Sequence, residues 1–112
     1  MSDPTELSDV LQALAEPNRL RLLRLLSRRE VCVTAAARML GLSQPLVSQH
    51  LRVLRQAGLI EGERRGRRVH YRVRQSRWEW LVRELAEMLG TEEEPPRTST
   101  PRPKRRRDED VR

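Results

Sequence analysis

Residues 43–73 have the sequence SQPLVSQHLRVLRQAGLIEGERRGRRVHYRV, and this stretch decides the predicted fold. Ser43 supplies a side-chain oxygen of the kind that caps the first backbone N–H groups of a helix. Pro45 follows in the first turn, where the N–H that proline lacks would have no helical partner. Because Ala57 and Gly58 are expected to stop the helix, the first part of the stretch predicts a single helix.

The predicted helix has an apolar side and a polar side. At about 100° per residue, Val47, Leu51 and Leu54 lie within about 60° of one another and should face the core. The opposite arc carries Ser48, Gln49, Arg52 and Gln56. Such side chains can bind base edges in the DNA major groove, although an ordinary solvated helix face carries similar residues. The candidate base-contacting residues are Ser43, Gln44, Ser48, Gln49 and Arg52.

The second part of the stretch, LIEGERRGRRVHYRV, predicts a β-hairpin, or wing. Residues 59–63 and 69–73 are its two short strands, and the chain reverses through residues 64–68 around Gly66. Alternation along the second strand places its apolar residues inward and its basic residues outward, the latter being Arg68, His70, Arg72 and Arg74. The candidate phosphate contacts of the wing are Arg64, Arg65, Arg67 and Arg68.

Positive charge is concentrated around this stretch. Residues 52–77 contain nine arginines against Glu61 and Glu63, which gives +7, the formal net charge of the whole chain. A concentration of this kind is typical of a protein that binds a polyanion. The alternative is an arginine-rich surface that serves solubility, but solubility does not require the charge to be gathered on one element.

The composition narrows the class of protein. The 112 residues have room for one domain, and they include no phenylalanine, two tryptophans and one tyrosine. A core of leucine, valine and alanine suits packed helices. No run approaches the roughly 18 apolar residues of a membrane span. Because the N-terminus is acidic and polar, unlike a secretory signal, we expect a cytoplasmic protein with no membrane partner.

Catalytic signatures are missing from the sequence. We find no glycine-rich phosphate cradle, no paired carboxylates that can be placed in a cleft, and no nucleophile with an orienting histidine. Cys32 is the single cysteine, which excludes an internal disulfide bond. The chain is therefore not expected to be an enzyme.

A change of composition after Gly90 marks the predicted end of the domain. The chain continues as TEEEPPRTSTPRPKRRRDEDVR, which holds four of the seven prolines and has no apolar periodicity. Such a segment cannot bury a core. We predict a folded domain over residues 5–89 and a disordered, charged, proline-rich tail over residues 90–112. The basic block at residues 104–107 suits either a DNA-gripping arm or a solvated tail screened by neighbouring acids.

Three further helices are predicted before Ser43. Apolar residues at helical spacing, Leu7, Val10, Leu11 and Leu14, indicate a first helix that Glu16 and Pro17 end. The segment RLRLLRLLSRR is apolar on most sides and predicts a second helix at the buried centre. Thr34 is the expected N-cap of a third, positioning helix, which ends at Gly41.

A last amphipathic helix is predicted from about Ser76. Its stripe consists of Trp78, Leu81, Val82, Leu85, Met88 and Leu89. A small helix-turn-helix core cannot cover both this stripe and that of the first helix, so we expect the two helices to pair in a homodimer. The alternative is that the last helix packs on its own domain. The predicted interface consists of Leu7, Val10, Leu11, Leu14, Trp78, Leu81, Val82 and Leu85.

These elements together predict a mainly α fold with a β-hairpin wing, a winged helix-turn-helix. The segments ALAEPNRLRLLRLL and AAARMLGLSQPLVSQHLRVLRQAGLIEGERRGRRVHYRV resemble the ArsR/SmtB family of bacterial dimeric winged-helix repressors. The resemblance covers roughly residues 7–89, in the family's order and spacing of elements. It implies a transcriptional repressor that binds a palindromic operator in double-stranded DNA and releases it when an effector binds.

The family's sensor sites are only partly matched. Many relatives have a Cys-Val-Cys box at the start of the positioning helix, where this chain has Cys32, Val33 and Thr34. Other relatives bind zinc-like ions between paired last helices through histidine and carboxylate, but this last helix has no histidine. A divalent metal effector therefore has only weak candidate ligands, namely Cys32, Glu79, Glu84 and Glu87.

Other interpretations of these residues stay open. The Cys32 thiol suits either a redox switch or a small core side chain. His50, on the flank of the apolar arc, suits packing against a neighbouring element or a phosphate contact better than metal binding. The effector is thus unknown, and a repressor without one is an alternative.

A different function for the same fold is also open. A winged helix can act as a protein-docking platform or an RNA-binding module, in which case the polar arc would face no DNA duplex. Steep salt dependence of binding to duplex DNA separates these functions, since each neutralised phosphate changes the log–log slope by about 0.9.

Overall fold

The computed structural model describes residues 4–90. Over that range the elements are α1 (Pro4–Leu14), α2 (Pro17–Leu26), α3 (Val33–Leu40), α4 (Gln44–Gln56), β1 (Ile60–Arg65), β2 (Arg68–Val73) and α5 (Gln75–Met88). This is the mainly α fold with a two-stranded hairpin that the sequence predicts. None of the described helices is long and apolar enough to cross a membrane. Residues 91–112 of the predicted tail lie outside the described residues, and the predicted domain boundary stays a prediction.

The centre of the domain is the apolar side of α4. Val47, Leu51 and Leu54 are each at most 2% exposed and belong to one cluster with buried residues of α1, α2, α3, β1 and α5. The predicted core side of this helix is thus confirmed. Leu59 and Ile60, which lead from α4 into β1, are buried in the same cluster.

Helix α2 is buried on one side only. Leu22, Leu23 and Leu26 lie in the core, whereas Leu20 is 50% exposed. The expectation of a helix at the buried centre is therefore only partly right: α2 packs against α1, α3, α4 and β2, but its other side is exposed. Its N-cap is Glu16, whose carboxylate accepts a hydrogen bond of 2.9 Å from the Arg19 N–H.

The N-cap of the positioning helix α3 lies two residues before the predicted one. Cys32, in an extended conformation, is its N-cap, and Thr34 already lies in the first helical turn. The prediction of Thr34 as cap is wrong, since the backbone turns into the helix without any side-chain cap. Gly41 ends α3 as expected, with the left-handed φ of +69° that favours glycine.

A short connection then leads to α4. The Ser43 hydroxyl oxygen accepts a hydrogen bond of 3.2 Å from the Leu46 N–H, so the predicted cap is confirmed. This bond satisfies one of the backbone donors that have no helical partner. Serine and glycine thus set the angle at which α4 leaves α3.

The hairpin is tighter than the sequence analysis predicts. Its register runs from Ile60 opposite Val73 to Arg65 opposite Arg68, which leaves a two-residue turn in place of a reversal over residues 64–68. Gly66, with φ of +65°, takes the first turn position, where a two-residue hairpin of this kind needs glycine. Both strands therefore extend further towards the tip than predicted.

Residue Val31 attaches the hairpin to the helical body. It forms an isolated antiparallel bridge with Tyr71, with N···O distances of 2.9 and 3.3 Å. Extended backbone is limited here to Val31 and Cys32, the residues directly before α3. This bridge holds β2 beside the start of the helix-turn-helix.

Helix α5 returns across the domain and is held by its first turn. The Trp78 indole N–H donates to the Leu59 carbonyl at 3.2 Å. Leu81 of α5 and Val10 of α1 are 4% and 1% exposed. Both were expected at a two-fold interface, but α1 and α5 use these positions to close the core of their own protomer.

Arg77 joins three parts of the fold. Its Nε donates to the Ala57 carbonyl at 3.1 Å, and its Nη1 donates to Glu6 at 2.8 Å. Its guanidinium also lies 4.1 Å from the centre of the Trp80 ring. Arg77 therefore connects α1, the end of α4 and α5, and its charge is balanced within the protomer.

We expect Arg77→Ala to lower the free energy of unfolding by about 1–3 kcal/mol, because it removes a hydrogen bond, a ring contact and a partly exposed ion pair. The matched control is Arg74→Ala, since Arg74 is exposed and its side chain has no polar contact within residues 4–90. Urea denaturation at one protein concentration measures both. Equal values for the two variants would show that Arg77 has no such role.

Candidate nucleic-acid interface

The exposed side of α4 is a polar surface. Its exposed residues include Gln44, Ser48, Gln49, Arg52 and Gln56. Their side chains make no hydrogen bond or ion pair within residues 4–90, so their donors and acceptors point into solvent. Ser43 differs, because its hydroxyl oxygen is occupied by the cap of α4. The helix therefore presents a continuous row of unpaired polar groups, which we call the α4 polar face.

The wing carries arginines of two kinds. Arg64, Arg65, Arg67 and Arg68 are all exposed. Arg67 has no polar side-chain contact within the described range, and Arg64 contacts only the Gly66 carbonyl there, at 3.4 Å. Arg65 is instead engaged with two carboxylates. The four arginines are equivalent candidates in the sequence, but their contacts in the structure differ.

A carboxylate network occupies Arg65 and Arg72. Arg65 Nη2 lies 2.7 Å from Glu30 and 3.1 Å from Glu63, and Arg72 lies 2.9 Å from Glu63 and 3.0 Å from Glu61. Hydrogen bonds from Arg72 and then Arg65 lower the pKa of the Glu63 carboxyl. The network holds the wing against the loop before α3, and it neutralises two of the basic residues counted in the sequence.

The role of Glu30 in this network was not predicted from the sequence. Glu30 precedes Val31, whose bridge with Tyr71 brings the loop beside β2. In the sequence, Glu30 is an acidic residue next to an extended one. Its arginine partners could not be identified from the sequence, because they depend on how the strands pair.

Arg68 is the first residue of β2, next to the turn at the tip of the wing, and its guanidinium contacts the start of α3. Its Nη1 lies 3.7 Å from the Cys32 sulfur, in a shallow cavity of about 230 Å³ that the wing and the start of α3 line. The Ala35 backbone N–H at the start of α3 lowers the pKa of the Cys32 thiol most, burial opposes it, and Arg68 lowers the pKa further. Cys32 is 7% exposed, so its sulfur belongs to the junction between α3 and the wing.

The weak metal candidates do not come together. Within residues 4–90, no three side chains of histidine, cysteine, aspartate or glutamate lie close enough to hold a metal ion. Cys32 and Glu84 are buried, at 7% and 8% exposure, while Glu79 is exposed and Glu87 is half-buried. The described residues of one protomer therefore do not fit a divalent metal, and we derive no step from one.

An apolar surface remains on α1 and α5. Leu11, Val82 and Met88 are 38%, 64% and 60% exposed, and Leu89 is 74% exposed. Others of the predicted interface are half-buried, namely Leu7, Leu14, Trp78 and Leu85. An apolar cavity of about 440 Å³ lies between one side of α1 and Met88. We call this region the α1–α5 face.

The two histidines occupy different environments. His50 is 7% exposed and packs against α2, as expected for a residue at the flank of the apolar arc. His70 is half-buried, and its Nδ1 is enclosed without a hydrogen-bond partner in the described part of the chain. The expectation that His70 points outward into solvent is therefore wrong for this part of the ring.

Comparison with known proteins shows where this architecture recurs. The family model described as bacterial regulatory protein, arsR family, matches residues 16–61. A transcriptional repressor SmtB homolog from Synechocystis is 38% identical over 84 residues, which is 75% of this chain and 64% of that protein. The chain thus spans between about half and two thirds of the length of several curated relatives that it matches.

Two solved structures are similar over most of the domain. An ArsR-like transcriptional regulator from a Rhodococcus species has a TM-score of 0.71 and 30% identity, over 79% of this chain and 82% of that chain. The homodimeric winged helix-turn-helix DNA-binding domain of a possible ArsR-family regulator from Mycobacterium bovis has a TM-score of 0.65 and 30% identity. That alignment covers 86% of this chain and 96% of the other.

We expect Arg68→Ala to raise the pKa of the Cys32 thiol, because one of the groups that favour the thiolate is lost while the Ala35 N–H remains. The ultraviolet absorbance of the thiolate, followed against pH in the folded protein, measures the change. Arg67→Ala is the control, since Arg67 lines the same cavity but is not among the causes of the shift. An unchanged titration in Arg68→Ala would contradict the contact.

Proposed function

The chain belongs to the ArsR family of bacterial regulatory proteins, and on that premise we propose that it is a homodimeric transcriptional repressor that binds an operator in duplex DNA. The observation that carries this proposal is the α4 polar face, together with the exposed arginines of the wing. The family consists of regulators, and we propose no catalytic activity for the chain. Its place of action is then the cytoplasm, where bacterial DNA lies.

The α4 polar face has the chemistry of base recognition. Glutamine pairs with adenine through two hydrogen bonds, arginine pairs in the same way with guanine, and serine contacts either. Gln44, Ser48, Gln49 and Arg52 supply these groups from one exposed side of a rigid helix. Because the other side of α4 is anchored in the core, the helix enters the major groove as a fixed element.

The wing supplies contacts with the sugar-phosphate backbone. Arg64 and Arg67 are exposed and have no carboxylate partner among the described residues. A guanidinium binds a phosphate through two N–H groups, so these two residues suit the DNA flanking the groove. Arg65 contributes less, since Glu30 and Glu63 already bind it.

The α1–α5 face suits the contact between two protomers. Exposed leucine, valine and methionine side chains favour a partner that removes them from water. The proposed interface keeps Leu7, Leu11, Leu14, Trp78, Val82 and Leu85 and gains Met88 and Leu89. Val10 and Leu81 leave it because they are buried in the protomer. A two-fold pair would place two α4 helices about one helical turn apart, as a palindromic operator requires.

We expect Arg52→Ala to weaken binding to a duplex enriched by the protein from a random library by about 1–3 kcal/mol, if Arg52 reads a base. Binding to random duplex of the same length should fall much less. Arg24→Ala removes an exposed charge from α2, outside the proposed interface, and should leave the ratio of the two affinities unchanged. Equal losses on both duplexes in Arg52→Ala would mean that Arg52 only contacts the backbone.

The wing is tested by the salt dependence of binding to duplex DNA. Arg67→Ala should reduce the log–log slope by about 0.9 for each wing that loses a phosphate contact. Arg65→Ala should change the slope less, because its guanidinium already has carboxylate partners. A flat salt response of the unmodified protein would favour the docking or RNA-binding alternatives.

A further inference from the structure

The recognition helix and the proposed dimer helix are connected through one guanidinium. Arg19, in the first turn of α2, donates from Nε to the Ala13 carbonyl at 2.6 Å and from Nη2 to the Gln12 carbonyl at 3.5 Å. Both carbonyls belong to the last turn of α1, whose negative dipole end favours a cation, although the Gln12 carbonyl also accepts from the Ala15 N–H at 3.1 Å. The same guanidinium places Nη1 at 3.4 Å from Nδ1 of His50 in α4.

His50 is unusual among the side chains of α4. It is 7% exposed, and its ring lies against Arg19 and Glu16 at the start of α2. Because Arg19 only donates, Nδ1 accepts in this contact and the ring proton lies on Nε2. Nε2 faces Glu16 at 3.7 Å, too far for a hydrogen bond, and is enclosed without a partner among the described residues. The ring is therefore held from the Arg19 side.

Directional and non-directional contacts have different effects on a helix. The burial of Val47, Leu51 and Leu54 keeps α4 against the core, but apolar contact depends weakly on rotation and sliding. A guanidinium is a rigid planar fork, so binding the α1 carbonyls fixes where its remaining N–H groups point. A hydrogen-bond acceptor on α4 at that place determines the rotation of the helix relative to α1.

We propose that His50 and Arg19 are positioning residues that fix the orientation of the recognition helix relative to the dimer axis and so determine the spacing of the two DNA half-sites. This inference rests on the proposed function, because α1 carries part of the α1–α5 face and α4 carries the polar face. The residues touch no DNA in this arrangement. They act through the angle at which each protomer presents α4.

The test is a selection of duplexes from a library in which two half-sites are separated by spacers of different length. The full chain should enrich a narrow range of spacers. His50→Leu, which keeps bulk but loses the acceptor, should reduce the preference for the best spacer over one longer by a base pair about five- to tenfold, as expected for the loss of one hydrogen bond of ordinary strength. Arg19→Ala should have a similar effect on spacing.

The matched variant is His50→Asn, whose side-chain oxygen lies close to the place of Nδ1. It should restore the spacing preference of the unmodified protein, while a residue needed only for packing would be rescued better by leucine. The melting temperature and the affinity for a single half-site are measured for all variants. They separate loss of folding from loss of positioning.

The possible results distinguish failure of the proposed function from failure of the positioning role. If the unmodified chain enriches no duplex, the proposed function fails. If it enriches duplexes and folded His50→Leu keeps the same spacer preference, the positioning role of His50 is wrong. If His50→Asn behaves like His50→Leu, the hydrogen bond to Arg19 does not set the spacing.

Discussion

The burial of one side of α4 is the constraint on which the rest of the domain depends. Val47, Leu51 and Leu54 are at most 2% exposed at the centre of a single apolar cluster. Because a helix turns by about 100° per residue, burying this side leaves the opposite arc in solvent. The α4 polar face is thus a direct consequence of core packing, and its residues can serve recognition without any cost to the core.

Arginine serves two purposes in this small domain. Arg19, Arg65 and Arg77 bind carbonyls or carboxylates and connect elements within the protomer. Arg52 and Arg67 are exposed and have no such partner among the described residues. The sequence, where charges are counted without their partners, does not separate these groups. Glu30 and Glu6, from outside residues 52–77, also bind arginines of this window, so the charge that it offers to a polyanion is smaller than its formal +7.

Features that depend on neighbouring residues could be predicted from the sequence. The Ser43 cap, the Gly41 helix end and the core side of α4 depend on neighbours in the sequence, and each was confirmed. Features that depend on residues far apart in the sequence could not be predicted from it. Thr34 resembles a cap, but the bridge between Val31 and Tyr71 and the packing of α3 begin the helix at Val33. Periodicity marked Val10 and Leu81 as apolar without saying whether their own protomer or a partner would cover them. The candidate contacts with DNA stay predictions, supported by exposure and chemistry.

Hydroxyl-radical footprinting of the enriched duplex, combined with the mass of the complex, tests the central claim most directly. Two protomers should bind one duplex and protect two patches on one side of it, about 10 base pairs apart, with weaker protection where the wings reach the flanks. A single protomer on the duplex, or one patch of protection that does not repeat at the helical period, would contradict the account.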